Sequence, residues 1–194
     1  MQLNTTAYIR DLESALGATT TVEKKERDEA GEFHFIPLTV DDFVEQLTVA
    51  VGLLRACPME EQEYRRNPVP IKFVDVGCGI GTKLLLANRL FYDLELYGIE
   101  KFPRYVKIAK ALFQDAHMMP AEVIQADALT QSYKDYDIIY FYCPMFDMDK
   151  QLALEKQIIK TAKKGALFMV NLPKGKWGTG QTAPVWNQRI YRKV

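Results

Sequence analysis

The chain has 194 residues and equal numbers of acidic and basic side chains, 25 of each, so it carries no formal net charge at pH 7. This length and the 48% hydrophobic content predict one globular domain, and no apolar run approaches the ~20 residues that a membrane-spanning helix needs. Two histidines without C-x-x-C or H-E-x-x-H spacing also argue against a zinc site.

The start of the chain predicts a helical extension over residues 1–70. An apolar stripe in residues 4–16 predicts a short helix, and the polar residues 18–32 predict an exposed connector. The first residues lack the basic start and apolar centre of a signal peptide. The three cysteines (Cys57, Cys78 and Cys143) are far apart and odd in number, which favours a reducing compartment. We therefore expect a cytoplasmic protein.

A second helix is predicted at the end of this extension. Thr39 and Asp42 resemble a capping box, apolar side chains follow at helical spacing, and Pro58 stops the helix. We expect the extension to pack on the rest of the protein as a lid. His34 lies between two phenylalanines, and we interpret it as a surface or packed histidine, with a place in the lid as the alternative.

From residue 71 the pattern predicts an α/β core over residues 71–194, within a single domain overall. Short apolar runs alternate with helical stretches, which indicates βαβ units and a doubly wound, mostly parallel sheet of the seven-stranded type. The connection ALTQSYKD is too short for a full helix, and the tail APVWNQRIYRKV predicts one or two edge strands. The predicted strands are IKFVDV, LELYGIE, AEVIQAD, DIIYFYC and GALFMVN.

The C-terminal part of the core has two further features. Trp177 and Trp186 flank a glycine-rich loop where a helix would normally follow the fifth strand, so we expect them to cover the exposed sheet edge or to touch a substrate. Residues 1–70 carry 7 Lys/Arg against 13 Asp/Glu, whereas residues 156–194 carry 9 Lys/Arg and no acid. We interpret these as solvated faces that offset each other, with a basic edge for an acidic partner or nucleic acid as the alternative.

A glycine loop follows the first predicted strand, in the sequence DVGCGIG. Ligands of doubly wound sheets bind at the carboxyl ends of the strands. The third glycine comes one residue earlier than in the dinucleotide fingerprint G-x-G-x-x-G. Asp75, two residues before the first glycine, would repel a pyrophosphate but can accept hydrogen bonds from an ammonium group. The loop therefore favours a ligand with a cationic amino-acid end over NAD.

An acid followed by G-x-G-x-G resembles the first motif of the class I, Rossmann-like S-adenosylmethionine-dependent methyltransferases. The resemblance covers about residues 70–172, and it implies that the loop wraps the methionine part of S-adenosylmethionine. It also implies that Glu100, at the end of the second strand, grips the ribose hydroxyls, and that Asp127 with Ala128, after the third, holds the adenine. Without a cofactor, Glu100 would cap the following helix and Asp127 would cap a turn. The residues implied to bind the cofactor are Asp75, Gly77, Cys78, Gly79, Gly81, Glu100, Lys101, Asp127, Ala128 and Tyr142.

The methyl acceptor is expected where the fourth strand ends, in YFYCPM. This stretch lacks the signatures of nucleic-acid amino-methyltransferases and of cytosine C5 enzymes, which favours a protein lysine or a small-molecule amine. The stretch GIEK is also similar to one group of lysine methyltransferases. Tyr142 is the one candidate catalytic residue, because its ring favours a cation and its hydroxyl can orient a substrate; an ordinary packed aromatic is the alternative. Cys143 is interpreted as a buried thiol.

Two other functions stay open at this point. One is an S-adenosylmethionine-binding protein that has lost transfer and acts through protein contacts. The other is an NAD(P)-dependent oxidoreductase. Against the latter stand the early third glycine and the absence of a Tyr-x-x-x-Lys pair, since Tyr105 and Lys110 are five residues apart.

Overall fold

A computed structural model describes residues 40–56, 70–115 and 121–194, together with Lys25 and Glu29. In these ranges one seven-stranded sheet is accompanied by four α-helices and one turn of 3-10 helix. The elements follow the chain as α1 (Val40–Arg55), β1 (Ile71–Val76), α2 (Thr82–Leu90), β2 (Leu94–Glu100), α3 (Pro103–Asp115), β3 (Ala121–Gln125), the 3-10 turn (Ala128–Thr130), β4 (Ile138–Tyr142), α4 (Met148–Thr161), β5 (Leu167–Asn171), β6 (Thr182–Trp186) and β7 (Ile190–Lys193).

The strands lie in the order β3-β2-β1-β4-β5-β7-β6. The first five pair in parallel, and β7 pairs antiparallel with both β5 and β6. The chain builds outward from β1 to β3 and then returns to place β4 on the other side of β1, so β1 and β4 flank the topological switch point. The predicted doubly wound sheet is confirmed.

The last two strands come from the C-terminal tail, and one of them lies at the edge of the sheet. β6 is an edge strand and carries Pro184, which an edge tolerates because its missing N–H breaks no interior hydrogen bond. β7 lies inside the sheet between β5 and β6, so the tail supplies one edge strand, as the prediction of one or two allows. The turn before Ile190 folds the chain back between β5 and β6.

The sheet is apolar on both faces, because alternate side chains of each central strand enter different cores. Phe73 of β1 packs with α1, α2 and α3 on one face. Its neighbour Val74 packs with Leu154 and Ile158 of α4 on the other. The two clusters leave the carboxyl edge of the strands to the connecting loops.

Helix α1 packs against the sheet with its first turn at this carboxyl edge. Phe43 lies fully in the core, with its ring centroid 5.1 Å from that of Tyr140. At the carboxyl edge Asp42 accepts a hydrogen bond of 2.9 Å from Arg189, which precedes β7. At the opposite edge Arg55 donates to Asp93, just before β2, over 2.7 Å. The helix is therefore fixed by an ion pair at each end and by the aromatic packing of Phe43 near its start.

Trp177 covers the sheet where no helix follows β5. Its ring centroid lies 5.8 Å from that of Phe141, 5.3 Å from that of Phe168 and 5.4 Å from that of Tyr191. Trp177 therefore covers a face of the sheet, whereas the prediction placed it at the exposed edge. Trp186 is half-buried against the core on the α1 side.

Several predictions fall outside the described residues: the helix over residues 4–16, the cap at Thr39, and the surroundings of Cys57 and both histidines. Lys25 and Glu29 are described as helical, and they form an exposed ion pair of 3.8 Å one helical turn apart. The prediction of a connector is therefore wrong at these two positions. Oppositely charged side chains four residues apart stabilise a helix, and Lys25 and Glu29 form such a pair. None of the described helices is long and apolar enough to cross a membrane.

Candidate functional site

The loop after β1 is built from three glycines in the left-handed region. The φ angles are +76° at Gly77, +55° at Gly79 and +80° at Gly81. The loop is tied to β2, since the N–H groups of Gly77 and Cys78 both donate to the carbonyl of Ile99, over 2.8 and 3.1 Å. This tie holds the loop at the carboxyl edge beside the switch point.

The third glycine of the loop is required by packing inside the protein. A Cβ atom at Gly81 would lie 2.7 Å from Cζ of Phe113, a core residue of α3. At this position the group that approaches the loop closely is therefore a helix side chain. Gly81 serves the ligand indirectly, because it lets α2 begin directly after the loop.

Cys78 points away from the loop surface into the core. The residue is 3% exposed, and its Sγ occupies the space over Gly98, where a Cβ atom would lie 2.6 Å from the sulfur. Burial raises the pKa of the Cys78 thiol well above its ordinary value, with Asp75 as a further cause. The side chain is therefore an inert neutral thiol, and only the backbone of Cys78 is left to face a ligand.

Asp75 is a carboxylate buried inside β1. It is 1% exposed, and its Oδ2 has no hydrogen-bond partner among the described residues. Its pKa is raised to about 6, chiefly by burial and further by the charge of Glu100, while the charge of Lys83 opposes the shift. A buried carboxylate oxygen without a partner is costly, so Asp75 indicates a ligand with a positive charge or hydrogen-bond donors.

Glu100 lies at the end of β2 and is 5% exposed. Its Oε2 accepts from the N–H of Gly79 over 3.0 Å, and its Oε1 accepts from the N–H of Phe102 over 2.9 Å. The carboxylate therefore joins the glycine loop to the start of α3. A carboxylate can accept more than two hydrogen bonds, so this structural role and a ligand-binding role are compatible.

Asp127 follows β3 and has two partners. Its Oδ1 accepts from the N–H of Leu129 over 3.0 Å, which confirms the turn-capping interpretation. Its Oδ2 lies 3.6 Å from Nζ of Lys101, which follows β2. The carbonyl of Ala128 accepts a hydrogen bond of 2.8 Å from the Tyr133 hydroxyl. Lys101 and Asp127 thus bridge two neighbouring strand ends.

The three acids expected from the sequence are brought to one edge of the sheet, at the ends of the adjacent strands β1, β2 and β3. Their chemistry fits S-adenosylmethionine: Asp75 offers an unpaired buried oxygen for an ammonium group, and Glu100 and Asp127 offer acceptors for hydroxyl and amino groups. A pyrophosphate would be repelled by the negative charge of Asp75, so these three carboxylates fit NAD poorly.

Tyr142 lies across the switch point, at the end of β4, where it is half-buried. Its register partner in β5 is Asn171. The amide of Asn171 is paired with that of Gln46 in α1, which is fully buried, through reciprocal hydrogen bonds of 3.0 and 3.3 Å. Sequence reasoning missed this amide pair, because a polar residue on a helix and another at a strand end carry no shared pattern.

The backbone is strained directly after β4, which ends at Tyr142, and directly after the neighbouring strand β5. Cys143 after β4 has φ +41°, and Leu172 after β5 has φ +52°. Non-glycine residues in this region cost about 1 kcal/mol or more, and such strain concentrates at functional sites. Burial raises the pKa of the Cys143 thiol, which agrees with the interpretation of a buried thiol.

A buried polar network holds the loop after β5. Gln151 and Glu155, one turn apart on α4, are at most 1% exposed and share a hydrogen bond of 2.9 Å. Glu155 also accepts from the N–H groups of Lys174 and Gly175 and from Nε1 of Trp177, over 2.9, 2.6 and 2.8 Å. The available signal was their helical spacing in the buried stripe of α4, which includes Leu154 and Ile158.

Residues 70–190 match the family described as "Methyltransferase domain". The chain is 27% identical over 113 residues to "Methyltransferase adrK" of Penicillium rubens, which covers 50% of this chain and 40% of that protein. It is 29% identical over 133 residues to "Ajmaline N-methyltransferase" of Rauvolfia serpentina, which covers 64% of this chain and 44% of that protein. The chain therefore spans less than half of the length of these curated relatives.

Among solved structures, the fold is similar to an RNA methyltransferase from Salinibacter ruber in complex with S-adenosyl-L-homocysteine. The TM-score is 0.56 at 18% identity, and the likeness covers 81% of this chain and 92% of that chain. The strand order, the glycine loop and the family match together define the class. The chain belongs to the methyltransferase domain family, among the class I, Rossmann-like S-adenosylmethionine-dependent methyltransferases. S-adenosylmethionine is the cofactor of this class.

Proposed function

We propose that the protein transfers a methyl group from S-adenosylmethionine to an amine bound at the carboxyl ends of β4 and β5. The observation that carries the proposal is the placement of Asp75, Glu100 and Asp127 at three adjacent strand ends around the glycine loop. When bound there, S-adenosylmethionine supplies a methyl group on a positively charged sulfur. A protein in this role mainly aligns the acceptor and excludes water.

Each acid has a separate task in this proposal. Asp75 receives the ammonium group at its unpartnered Oδ2. Glu100 receives the ribose hydroxyls, since two backbone N–H groups already fix the direction of its carboxylate. Asp127 receives the adenine amino group at Oδ2, where Lys101 now lies 3.6 Å away. The bond from Leu129 to Oδ1 keeps Asp127 oriented for that contact.

An amine is the acceptor that the strand ends favour. Tyr142 offers an aromatic ring and a hydroxyl. The side-chain oxygen of its register partner Asn171 already accepts from Gln46, and its second lone pair can accept from the N–H of an amine. A neutral amine attacks without a strong base, since the proton it carries can leave to solvent after transfer. One relative bears the name N-methyltransferase, which agrees with a nitrogen acceptor on a protein lysine or a small molecule.

The cofactor assignment is tested by exchanging the base of the ligand. S-adenosylhomocysteine carries an amino group on its base, whereas S-inosylhomocysteine carries a carbonyl there. Asp127→Asn keeps an oxygen for Leu129 and presents an amide N–H where Oδ2 lies, so calorimetric titration should show that the preference for adenosine is lost or reversed. We expect a change of about tenfold or more in the affinity ratio.

Asp135→Asn, at an exposed position before β4, removes the same charge and should leave the ratio unchanged. An unchanged ratio in Asp127→Asn would contradict the placement of the base. Binding of NAD by the wild-type protein, with no binding of S-adenosylhomocysteine, would instead favour an oxidoreductase.

Transfer itself needs a separate test. The protein is incubated with radiolabelled S-adenosylmethionine and panels of lysine peptides, small amines, thiols and RNA, and labelled product is counted. The proposal predicts label on an amine. Label on another class would identify a different acceptor and contradict the proposal. Tight cofactor binding without label on any panel would favour a non-catalytic binding protein.

A further inference from the structure

Asp75 is the one described carboxylate with a buried oxygen that lacks a partner. It is enclosed by its own sheet, because its register neighbours are Gly98 in β2 and Tyr140 in β4. Burial of this oxygen without a hydrogen-bond partner is unfavourable for folding. A ligand group that brings hydrogen-bond donors would offset the cost of burying the carboxylate.

A lysine lies beside this acid. Lys83 stands in the first turn of α2, and its Nζ is 5.8 Å from the ring centroid of Tyr140, the neighbour of Asp75 in the sheet. The charge of Lys83 acts on Asp75 and lowers its pKa against the effect of burial. Oδ2 of Asp75 nevertheless makes no hydrogen bond with Lys83 or with another described residue. Lys83 therefore acts on the carboxylate through its charge, without a hydrogen bond to Oδ2.

A separated cation and anion are what an amino-acid zwitterion requires. Its ammonium group pairs with a carboxylate, and its carboxylate pairs with a cation near the start of a helix, where backbone N–H groups also favour negative charge. Asp75 and Lys83 meet both needs on one face of the sheet. α2 has nine residues and begins directly after the glycine loop.

We propose that Lys83 binds the α-carboxylate of the cofactor while Asp75 binds its ammonium group, so that the site selects ligands with a complete amino-acid end. This inference rests on the proposed function and extends it to a specificity-determining residue. A ligand with the base and ribose alone, or with the amine but no carboxylate, then binds more weakly. The product S-adenosylhomocysteine keeps the full amino-acid end and binds well.

The test varies the ligand and the protein together and compares the affinities for each combination. The ligands are S-adenosylhomocysteine, its decarboxylated analogue and 5′-methylthioadenosine, titrated into wild-type protein and Lys83→Met. In the wild type, loss of the carboxylate should weaken binding by about 10- to 100-fold, as for a charge-assisted hydrogen bond. In Lys83→Met the same change of ligand should cost less than about twofold, because the partner of the carboxylate is gone.

Lys107→Met is the matched control, since it removes a lysine from the exposed face of α3. Lys107→Met should keep the preference of tenfold or more for S-adenosylhomocysteine over its decarboxylated analogue. 5′-Methylthioadenosine should bind equally to wild type and Lys83→Met. A parallel loss of all three ligands in Lys83→Met would show that the lysine only supports the fold around Tyr140, and it would overturn the inference.

The failure of this inference differs from the failure of the proposed function. No binding of S-adenosylhomocysteine to the wild type would contradict the proposed function itself. Binding with equal discrimination in Lys83→Met and wild type would overturn only the role of Lys83. If Lys83→Met does not fold, Lys83→Arg replaces it. Lys83→Arg keeps the positive charge, so it should still prefer S-adenosylhomocysteine over the decarboxylated analogue. Rising salt should weaken this preference in the wild type. Salt-independent discrimination would overturn the role of Lys83.

Discussion

Asp75 places a cost on the unliganded protein that depends on pH. Its pKa is raised from 3.8 to about 6 in the folded state, so between these values the folded state holds a proton that the unfolded state has lost. Stability therefore falls as pH rises through this window, and above it the buried carboxylate is charged while its Oδ2 lacks a hydrogen-bond partner. The charged groups acting on it are Lys83 on α2 and Glu100 on β2.

Asp75→Asn should separate this cost from the function. The amide has no charge at any pH. The free energy of unfolding of Asp75→Asn, relative to wild type, should therefore rise by about 2–3 kcal/mol between pH 4 and pH 8. Urea unfolding at the two pH values measures this difference, and Asp135→Asn is the control. S-adenosylhomocysteine should bind Asp75→Asn at least tenfold more weakly at pH 8. A relative stability independent of pH would contradict the raised pKa.

A substitution at Gly81 tests whether packing against Phe113 requires the third glycine of the loop. Gly81→Ala combines a φ of +80° with a Cβ atom 2.7 Å from Phe113, so we expect a loss of about 2–4 kcal/mol in the free energy of unfolding. Gly165 has a φ of +84° and open space around its Cβ position, so Gly165→Ala should cost only about 1–2 kcal/mol. Equal losses in the two variants would show that Phe113 moves aside without cost.

At the scale of elements, α4 holds the loop after β5 through one buried carboxylate. Glu155→Ala should leave the N–H groups of Lys174 and Gly175 and the indole N–H of Trp177 without their acceptor. We expect a loss of about 2–4 kcal/mol, and faster amide exchange at residues 174–177. S-adenosylhomocysteine affinity should stay within about threefold, since the cofactor loops follow β1 to β3.

The matched control for this loop is Lys156→Ala, one position along the helix on its exposed side. It should change neither stability nor exchange. Slow exchange that persists at residues 174–177 in Glu155→Ala would show that the packing of Trp177 alone fixes the loop.

Most elements were predictable from sequence because their signals are local. The strand runs and helical stripes of the core depend on periodicity, and each predicted strand lies within two residues of its observed bounds. The position of β7 was not predictable, since it depends on a turn that inserts one strand between two others. Gln46 with Asn171, and Lys83 beside Asp75, were missed for the same reason: each pair is distant in sequence or carries no motif, and only the fold brings it together.

At the scale of the whole molecule, α1 belongs to the same packing unit as the sheet. Phe43 is 1% exposed between Phe73 and Tyr140, so Phe43→Ala should cost about 3–5 kcal/mol. We expect unfolding in a single transition, with circular dichroism and tryptophan fluorescence losing signal at the same reduced urea concentration. Separate transitions, or an unchanged midpoint of the fluorescence of Trp177, would show that α1 unfolds apart from the core.

The whole arrangement directs two sets of groups to the carboxyl edge of one sheet. Acids lie at or near the carboxyl ends of β1, β2 and β3, whereas an aromatic hydroxyl and an amide lie at the ends of β4 and β5. The first set matches the parts of S-adenosylmethionine, and the second set is where we place the acceptor. The buried charge of Asp75, the bare backbone of the loop and the strained residues after β4 and β5 all lie on this edge, so the costly features of the fold coincide with the proposed site.

The most direct test is a crystal structure of the protein with S-adenosylhomocysteine. The account predicts the ribose hydroxyls on the carboxylate of Glu100, the adenine amino group on Asp127, and the amino-acid end over the glycine loop at Asp75. A ligand bound elsewhere, or with its ribose away from Glu100, would contradict the assignment of this edge as the cofactor site.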